Sequence, residues 1–325
     1  MATDAAESLP QVTRTDVEAA QARVQGRVRR TPVIHIDANQ LGTHPKLWLK
    51  LESLQLTGAF KVRGALNNLL TRDISAAGVC AASGGNHGQA VAWAARMLGV
   101  PAAVFVPTTC PPIKLRRLAD YGATVTVTGD VYDESLTRAI EYADESGALL
   151  VHPFDHPVTV AGAGTVAAEF TEQVPDLDTI LVAVGGGGLL AGSLAALDGS
   201  PIRVVGVEPT TARCLGAALD AGTLVDVEVS GAAVDSLGPR RAGRIAFEAA
   251  RSHQVFRVEV TDEDIRRAQL TAWEELRVGL EGGGATALAA LLSGAYQPTP
   301  DETIGIVCSG GNVDIAVVLG QTLRR

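Results

Sequence analysis

Residues 179–192 read TILVAVGGGGLLAG, an apolar, β-branched run broken by four consecutive glycines and resumed by leucines and small residues. The uninterrupted apolar character predicts a strand buried on both faces, Thr179 to Val184, and the glycines predict a tight loop into a helix. A strand that leads straight into a helix needs that helix as the crossover to the next parallel strand. The stretch therefore predicts an α/β protein with parallel sheets.

The same alternation continues outward in both directions. Upstream it predicts helices over Asp16 to Gly26, Phe60 to Leu70, Ala90 to Leu98, from Pro111 onward, Tyr132 to Asp144 and Gly162 to Glu172. Strands are expected at Lys46 to Leu51, Val79 to Ala81, Ala102 to Val106, Ala123 to Val127 and Leu149 to Val151. Downstream come strands at Ile202 to Val207, Val255 to Val260 and Thr303 to Val307, with a helix over Ile265 to Leu276. No repeat suggests a solenoid, and two α/β lobes, the second holding the tetraglycine run, are preferred to a β/α barrel.

Composition narrows the function classes. The chain has 325 residues, a formal charge of −9 and a pI near 5.2, and no basic run, which argues against a nucleic-acid partner. The apolar segments are too short for a membrane span. Cys80, Cys110, Cys214 and Cys308 lack CxxC spacing, and the opening MATDAAESLP has no positive, apolar leader, so a cytoplasmic location is expected. The charged segment TDEDIRRAQLTAWEELR, residues 261–277, reads as a solvated helix face.

Four loops can carry chemistry. Gly185, Gly186, Gly187 and Gly188, followed by Leu189, can bring several backbone N–H groups to an anion at a helix start, though such a run also serves as a tight structural turn. It matches neither dinucleotide nor nucleotide-loop spacing. Lys61, after Phe60, is an ordinary helix former unless burial regulates its proton, in which case its amine can attack a carbonyl. Ser83, Gly84, Gly85, Asn86 and His87 form a turn able to grip a carboxylate or simply to cap a helix. Ser309, at the exit of a late strand, can hydrogen-bond a ring nitrogen or act as a cap.

Taken in order, TGAFKVRGA (57–65), ASGGNHGQA (82–90), VGGGGLLAG (184–192), VGVEP (205–209) and CSGGNVD (308–314) resemble the fold-type II pyridoxal-phosphate enzymes, in particular the serine/threonine dehydratases and serine racemases. The resemblance covers nearly the whole chain from Thr31. It implies a large cofactor-binding lobe, 1–50 and 142–325, and a small mobile lobe, 51–141, that closes over pyridoxal 5'-phosphate. It makes Lys61 the catalytic, Schiff-base lysine and places Phe60, Asn86, Gly185 to Gly188, Leu189, Glu281 and Ser309 around the cofactor. Ser83, Gly84, Asn86 and His87 would receive the substrate carboxylate. A homodimer is also implied.

Several positions depart from the family pattern. Gly84 stands where serine racemases carry a second serine, the acid/base group opposite the lysine, so elimination is favoured over racemisation. Glu208 and Ala212 match two positions of a divalent-cation site, but Cys214 replaces the expected carboxylate, which suits a hard cation poorly. Glu208 can instead cap a helix. Gly282 follows Glu281 in place of the usual proline, and the segment AVDSLGPRR brings in Asp235, Ser236, Arg240 and Arg241, with the arginines also readable as surface residues. No regulatory extension follows Arg325, so isoleucine or valine feedback by that route is not expected. The resulting expectation is dehydration and deamination of L-threonine or L-serine. The alternatives are a bulkier hydroxy amino acid, racemisation, or a phosphate-ligand binding or regulatory protein without chemistry.

Overall fold

The computed structural model describes residues 11–41 and 46–320; the opening decapeptide read for a leader and the end of the chain at Arg325 lie outside the described residues. Strands β1 (Val33–Ile36), β2 (Leu47–Lys50), β3 (Val79–Ala82), β4 (Ala102–Val106), β5 (Thr124–Val127), β6 (Leu149–Leu150), β7 (Thr179–Ala183), β8 (Arg203–Pro209), β9 (Phe256–Val260) and β10 (Ile304–Val307) form two sheets. One has the order β1-β2-β10-β7-β8-β9 and the other β5-β4-β3-β6. Every pairing is parallel except β1 with β2, whose register sets Val33 opposite Lys50.

The decisive run behaves as its composition demands. Along β7, Ile180 and Val182 point into one hydrophobic cluster with Phe170 and Leu190, while Leu181 joins a second with Val205 and Leu288. Both faces of the strand are thus buried, the two clusters separated by the period-2 alternation of side chains.

Element ends differ from the sequence reading where capping chemistry outweighs hydrophobic periodicity. The helix expected at Gly162 to Glu172 spans Pro157–Gln173, because Pro157 begins it and the His156 ring accepts the Val158 N–H at 3.3 Å. The helix expected from Ile265 starts at Asp262, held by a reciprocal Thr261–Asp264 capping box. Strand β1 went unread, being four residues long with its burial decided by pairing at a sheet edge. The four-stranded sheet also runs past residue 141: the Tyr132–Ser146 helix crosses that position unbroken and delivers β6, which pairs with β3 through Val79 and Leu149.

One helix links the two layers. Lys61–Thr71 packs against Pro157–Gln173 at a glycine crossing, where a Cβ on Gly64 would stand 2.9 Å from the Thr159 carbonyl and one on Gly162 2.7 Å from the Gly64 Cα. Beside that crossing lies a buried ion network. Arg63 makes a bidentate pair with Glu52, at 2.8 and 2.7 Å, and reaches both oxygens of Glu169 at 3.1 and 2.9 Å. Lys50, also fully buried, completes it by donating to Glu169 and, at 2.9 Å, to the Thr31 carbonyl. Burial alone would raise the Glu169 pKa, but its hydrogen bonds to Arg63 and Lys50 hold it below the ordinary value.

Candidate active site

The exits of β3, β7 and β10 turn toward one cavity of about 320 Å³, where the Ser83–His87 turn, the glycine loop and Ser309 meet Lys61 and Glu281. Parallel α/β sheets place ligands at these carboxyl ends, because there the loops diverge and helix starts face the crevice.

Lys61 is the first residue of its helix. Its Nζ donates to the Pro153 carbonyl at 2.9 Å and lies 5.2 Å from the centre of the Phe60 ring. Burial draws its pKa down to about 8, the Glu281 carboxylate opposing the shift. At pH 7 about a tenth of such amines are neutral, against roughly one in three thousand for an ordinary lysine. In cofactor-stripped protein, acylation of Lys61 by a small anhydride is therefore expected to rise with pH to a midpoint near 8, well below that of surface lysines. Mass-spectrometric mapping reads this directly. Labelling of Lys61 in step with exposed lysines would contradict the burial argument.

Facing the amine is the glycine loop. Gly187 has φ +87°, a left-handed conformation in which a side chain is strained. The Gly188–Ala196 helix begins here, so its first N–H groups, including that of Leu189, lack intrahelical acceptors and carry favourable partial charge for an anion. The Gly186 carbonyl is fixed from behind by the Gly243 N–H at 3.0 Å, and the Gly185 carbonyl accepts from the Cys214 thiol at 3.3 Å.

On the opposite wall, Asn86 donates to Glu281 at 2.5 Å, and its carbonyl accepts from Asn312 at 2.8 Å. Burial raises the Glu281 pKa to about 7, with the Asn86 hydrogen bond opposing. Buried His87 donates through Nε2 to the Val151 carbonyl at 2.8 Å, while Nδ1 has no hydrogen-bond partner among the described residues. Burial, assisted by Lys61, lowers its pKa to about 3, so its ring stays neutral and does not exchange protons near pH 7. Ser309 lines the cavity and donates to the Gly283 carbonyl at 3.3 Å. All the residues that the sequence reading placed around a cofactor or substrate carboxylate line this one cavity.

Other positions resolve differently. Glu208 caps the Cys214–Ala221 helix, its two oxygens accepting the Leu215 and Gly216 N–H groups at 2.9 and 2.8 Å. Ala212 is part of a local turn, its N–H donating to Pro209. Among the described residues no group of three or more His, Cys, Asp or Glu side chains is placed to hold a metal ion. Arg240 and Arg241 face outward, Arg241 pairing with exposed Asp226. Asp235 and Ser236 do reach the cavity, where Asp235 pairs with Lys114 at 3.1 Å and Ser236 accepts the Gly283 N–H at 2.9 Å. Sequence reasoning missed Cys110, whose thiol fills the space a side chain at Gly84 would need, along with Lys114, Pro153 and Phe154. Apart from Pro111 nearby, no local signal marked them.

A partly neutral amine opposite a glycine-walled anion cradle suits an aldehyde cofactor that carries a phosphate. The chain belongs to the pyridoxal-phosphate dependent enzymes, the family model matching residues 24–310. It is 40% identical to the L-threonine ammonia-lyase of Geobacter sulfurreducens, over 94% of this chain and 76% of that protein. It is 33% identical to the catabolic L-threonine dehydratase of Escherichia coli K12, over 93% of this chain and 94% of the relative. Maize serine racemase superposes with a TM-score of 0.88 at 32% identity, covering 97% of this chain and 98% of that one. The fold-type II architecture is common to them. The residues present fit the cofactor: the bare glycine backbone leaves room for a phosphate, Lys61 offers the amine and the Ser309 hydroxyl stands in the same cavity.

Proposed function

We propose that this chain dehydrates and deaminates a small β-hydroxy amino acid, converting L-threonine to 2-oxobutyrate and ammonia and L-serine to pyruvate and ammonia. The observation that carries the reading is Lys61, a half-buried residue whose amine is desolvated enough to draw its pKa to about 8, in a cavity shared with an anion cradle. Relatives named for L-threonine ammonia-lyase activity support the choice of reaction.

Pyridoxal phosphate, when bound, supplies an electron sink for the charge left on the substrate α-carbon. Lys61 would hold the cofactor through its amine and would also be the base that takes the substrate α-proton. The N–H groups of Gly185 to Gly188 and Leu189 would hold the phosphate, and Phe60 and Ser309, in the same cavity, would hold the ring. Asn86, held by Glu281, would help to orient the ring. The Ser83, Gly84, Asn86 and His87 turn receives the substrate carboxylate, with His87 anchoring that turn to Val151 rather than moving protons. The four-stranded lobe, read from the sequence as 51–141 and carried by its sheet to Leu150, closes over the substrate. The working form is a cytoplasmic homodimer, a state that light scattering across concentrations tests.

The deciding experiment offers the cofactor-loaded protein L-threonine, L-serine, D-serine, threo-3-hydroxyaspartate and phenylserine, and follows 2-oxo acid, ammonia and chirality. Threonine and serine should both release ammonia and 2-oxo acid. No product from either overturns the substrate assignment, and D-serine formed from L-serine faster than pyruvate would favour racemisation, which the missing hydroxyl at Gly84 argues against.

A further inference from the structure

Three consecutive residues, Pro153, Phe154 and Asp155, each touch a different part of the site. The Pro153 carbonyl accepts the Lys61 Nζ at 2.9 Å. The Phe154 ring lies flush on the glycine loop: a Cβ on Gly186 would overlap its Cγ, Cδ1 and Cδ2, and one on Gly188 would stand 3.0 Å from its Cβ. The Asp155 carboxylate accepts the Ile245 N–H at 3.0 Å, in the first turn of the Arg244–Ser252 helix. That helix's preceding residue, Gly243, donates back to the Gly186 carbonyl at 3.0 Å. The segment is itself braced, since His152 Nδ1 accepts the Asp155 N–H at 2.9 Å and the His152 and Phe154 rings meet edge to face at 5.0 Å.

These contacts close a circuit from Lys61 through Pro153 and Phe154 to Gly186, then through Gly243 and its helix to Asp155. We infer that Phe154 is a positioning residue that sets how far the glycine loop stands from Lys61, and thereby whether both can hold one phosphorylated ligand at once. This rests on the reading that the loop and Lys61 grip opposite ends of pyridoxal phosphate. The ligand's own length is fixed by covalent bonds, whereas a glycine run has unusual backbone freedom. A flat ring pressed on bare Cα atoms removes that freedom without occupying the N–H groups.

The test titrates pyridoxal phosphate into full-length F154A, F154L, G186A and the F154A/G186A double variant beside the parent, with circular dichroism and urea midpoints as folding controls. A methyl at Gly186 should weaken binding by about 100-fold and loss of the Phe154 ring by about 10-fold, while the double variant should bind about 10-fold tighter than G186A because the methyl then has room. F154L, keeping bulk without the flat face, should fall between F154A and the parent. Additive losses in the double variant overturn the inference. So does parental affinity in both F154A and F154L, which decides the matter even if G186A does not fold. A merely structural role would lower the urea midpoint without this coupling. A parent that binds no pyridoxal phosphate overturns the proposed function as well, so the two failures are distinguishable.

Discussion

Replacement of Lys61 by alanine is expected to lower ammonia release from L-threonine by at least roughly 100- to 10,000-fold, the range for loss of a general base, and by more if covalent cofactor attachment is also lost. Folding should scarcely change. The Lys61 ammonium is disfavoured by burial, as its lowered pKa records, and it surrenders only one hydrogen bond, to Pro153. The expected stability change is thus within about 1 kcal/mol. Cofactor should remain bound without a covalent link, because the glycine loop is untouched. Mass spectrometry under native and denaturing conditions, together with ammonia release and urea unfolding, reads all three quantities. Turnover near the parent's, without added amine, would remove Lys61 from the centre of the mechanism.

Two residues along the same helix, the opposite division is expected. Arg63→Met should destabilise the fold by about 3–5 kcal/mol, because it leaves the buried Glu52 and Glu169 carboxylates with Lys50 as the remaining cation of the network. Arg63 is 1% exposed and Glu52 wholly buried, so water cannot take over the lost hydrogen bonds. Since the Glu169 pKa is held below its ordinary value, its contribution is present above the ordinary carboxylate pKa and is lost as pH falls through the lowered one. The Arg63→Met deficit should therefore shrink in acid. Urea midpoints at unchanged slope, taken at neutral and acid pH, measure both effects. A loss under about 1 kcal/mol at neutral pH would mean that the network contributes little net stability, as some buried ion pairs do.

Lys61 and Arg63 stand two positions apart and look equally like helix-forming cations. Neighbouring motif segments point to the first, whereas nothing local in the sequence marks the second. The distinction is one of helical phase: Lys61 projects toward the cavity and Arg63 toward the crossing with Pro157–Gln173, where Glu169 is 106 residues away in the chain.

The parallel α/β class, most of its alternating elements and the glycine loop were determined by the sequence itself, because side-chain periodicity and turn chemistry are local properties. So was the set of turns at the strand exits, since a strand followed by glycines and a helix leaves its loop at the sheet's carboxyl edge. Tertiary structure alone decided what depends on residues distant in the chain. β1 became a strand because β2 offered it an edge, and Glu208 became a helix cap because its strand ends beside Leu215 and Gly216. The Cys110 thiol came to fill the space beside Gly84, and Phe154 to roof Gly186, through packing for which neither partner carries a local mark. The lowered Lys61 pKa is of the same kind: a charge's cost is set by what excludes water around it, and those walls come from segments far apart in the chain.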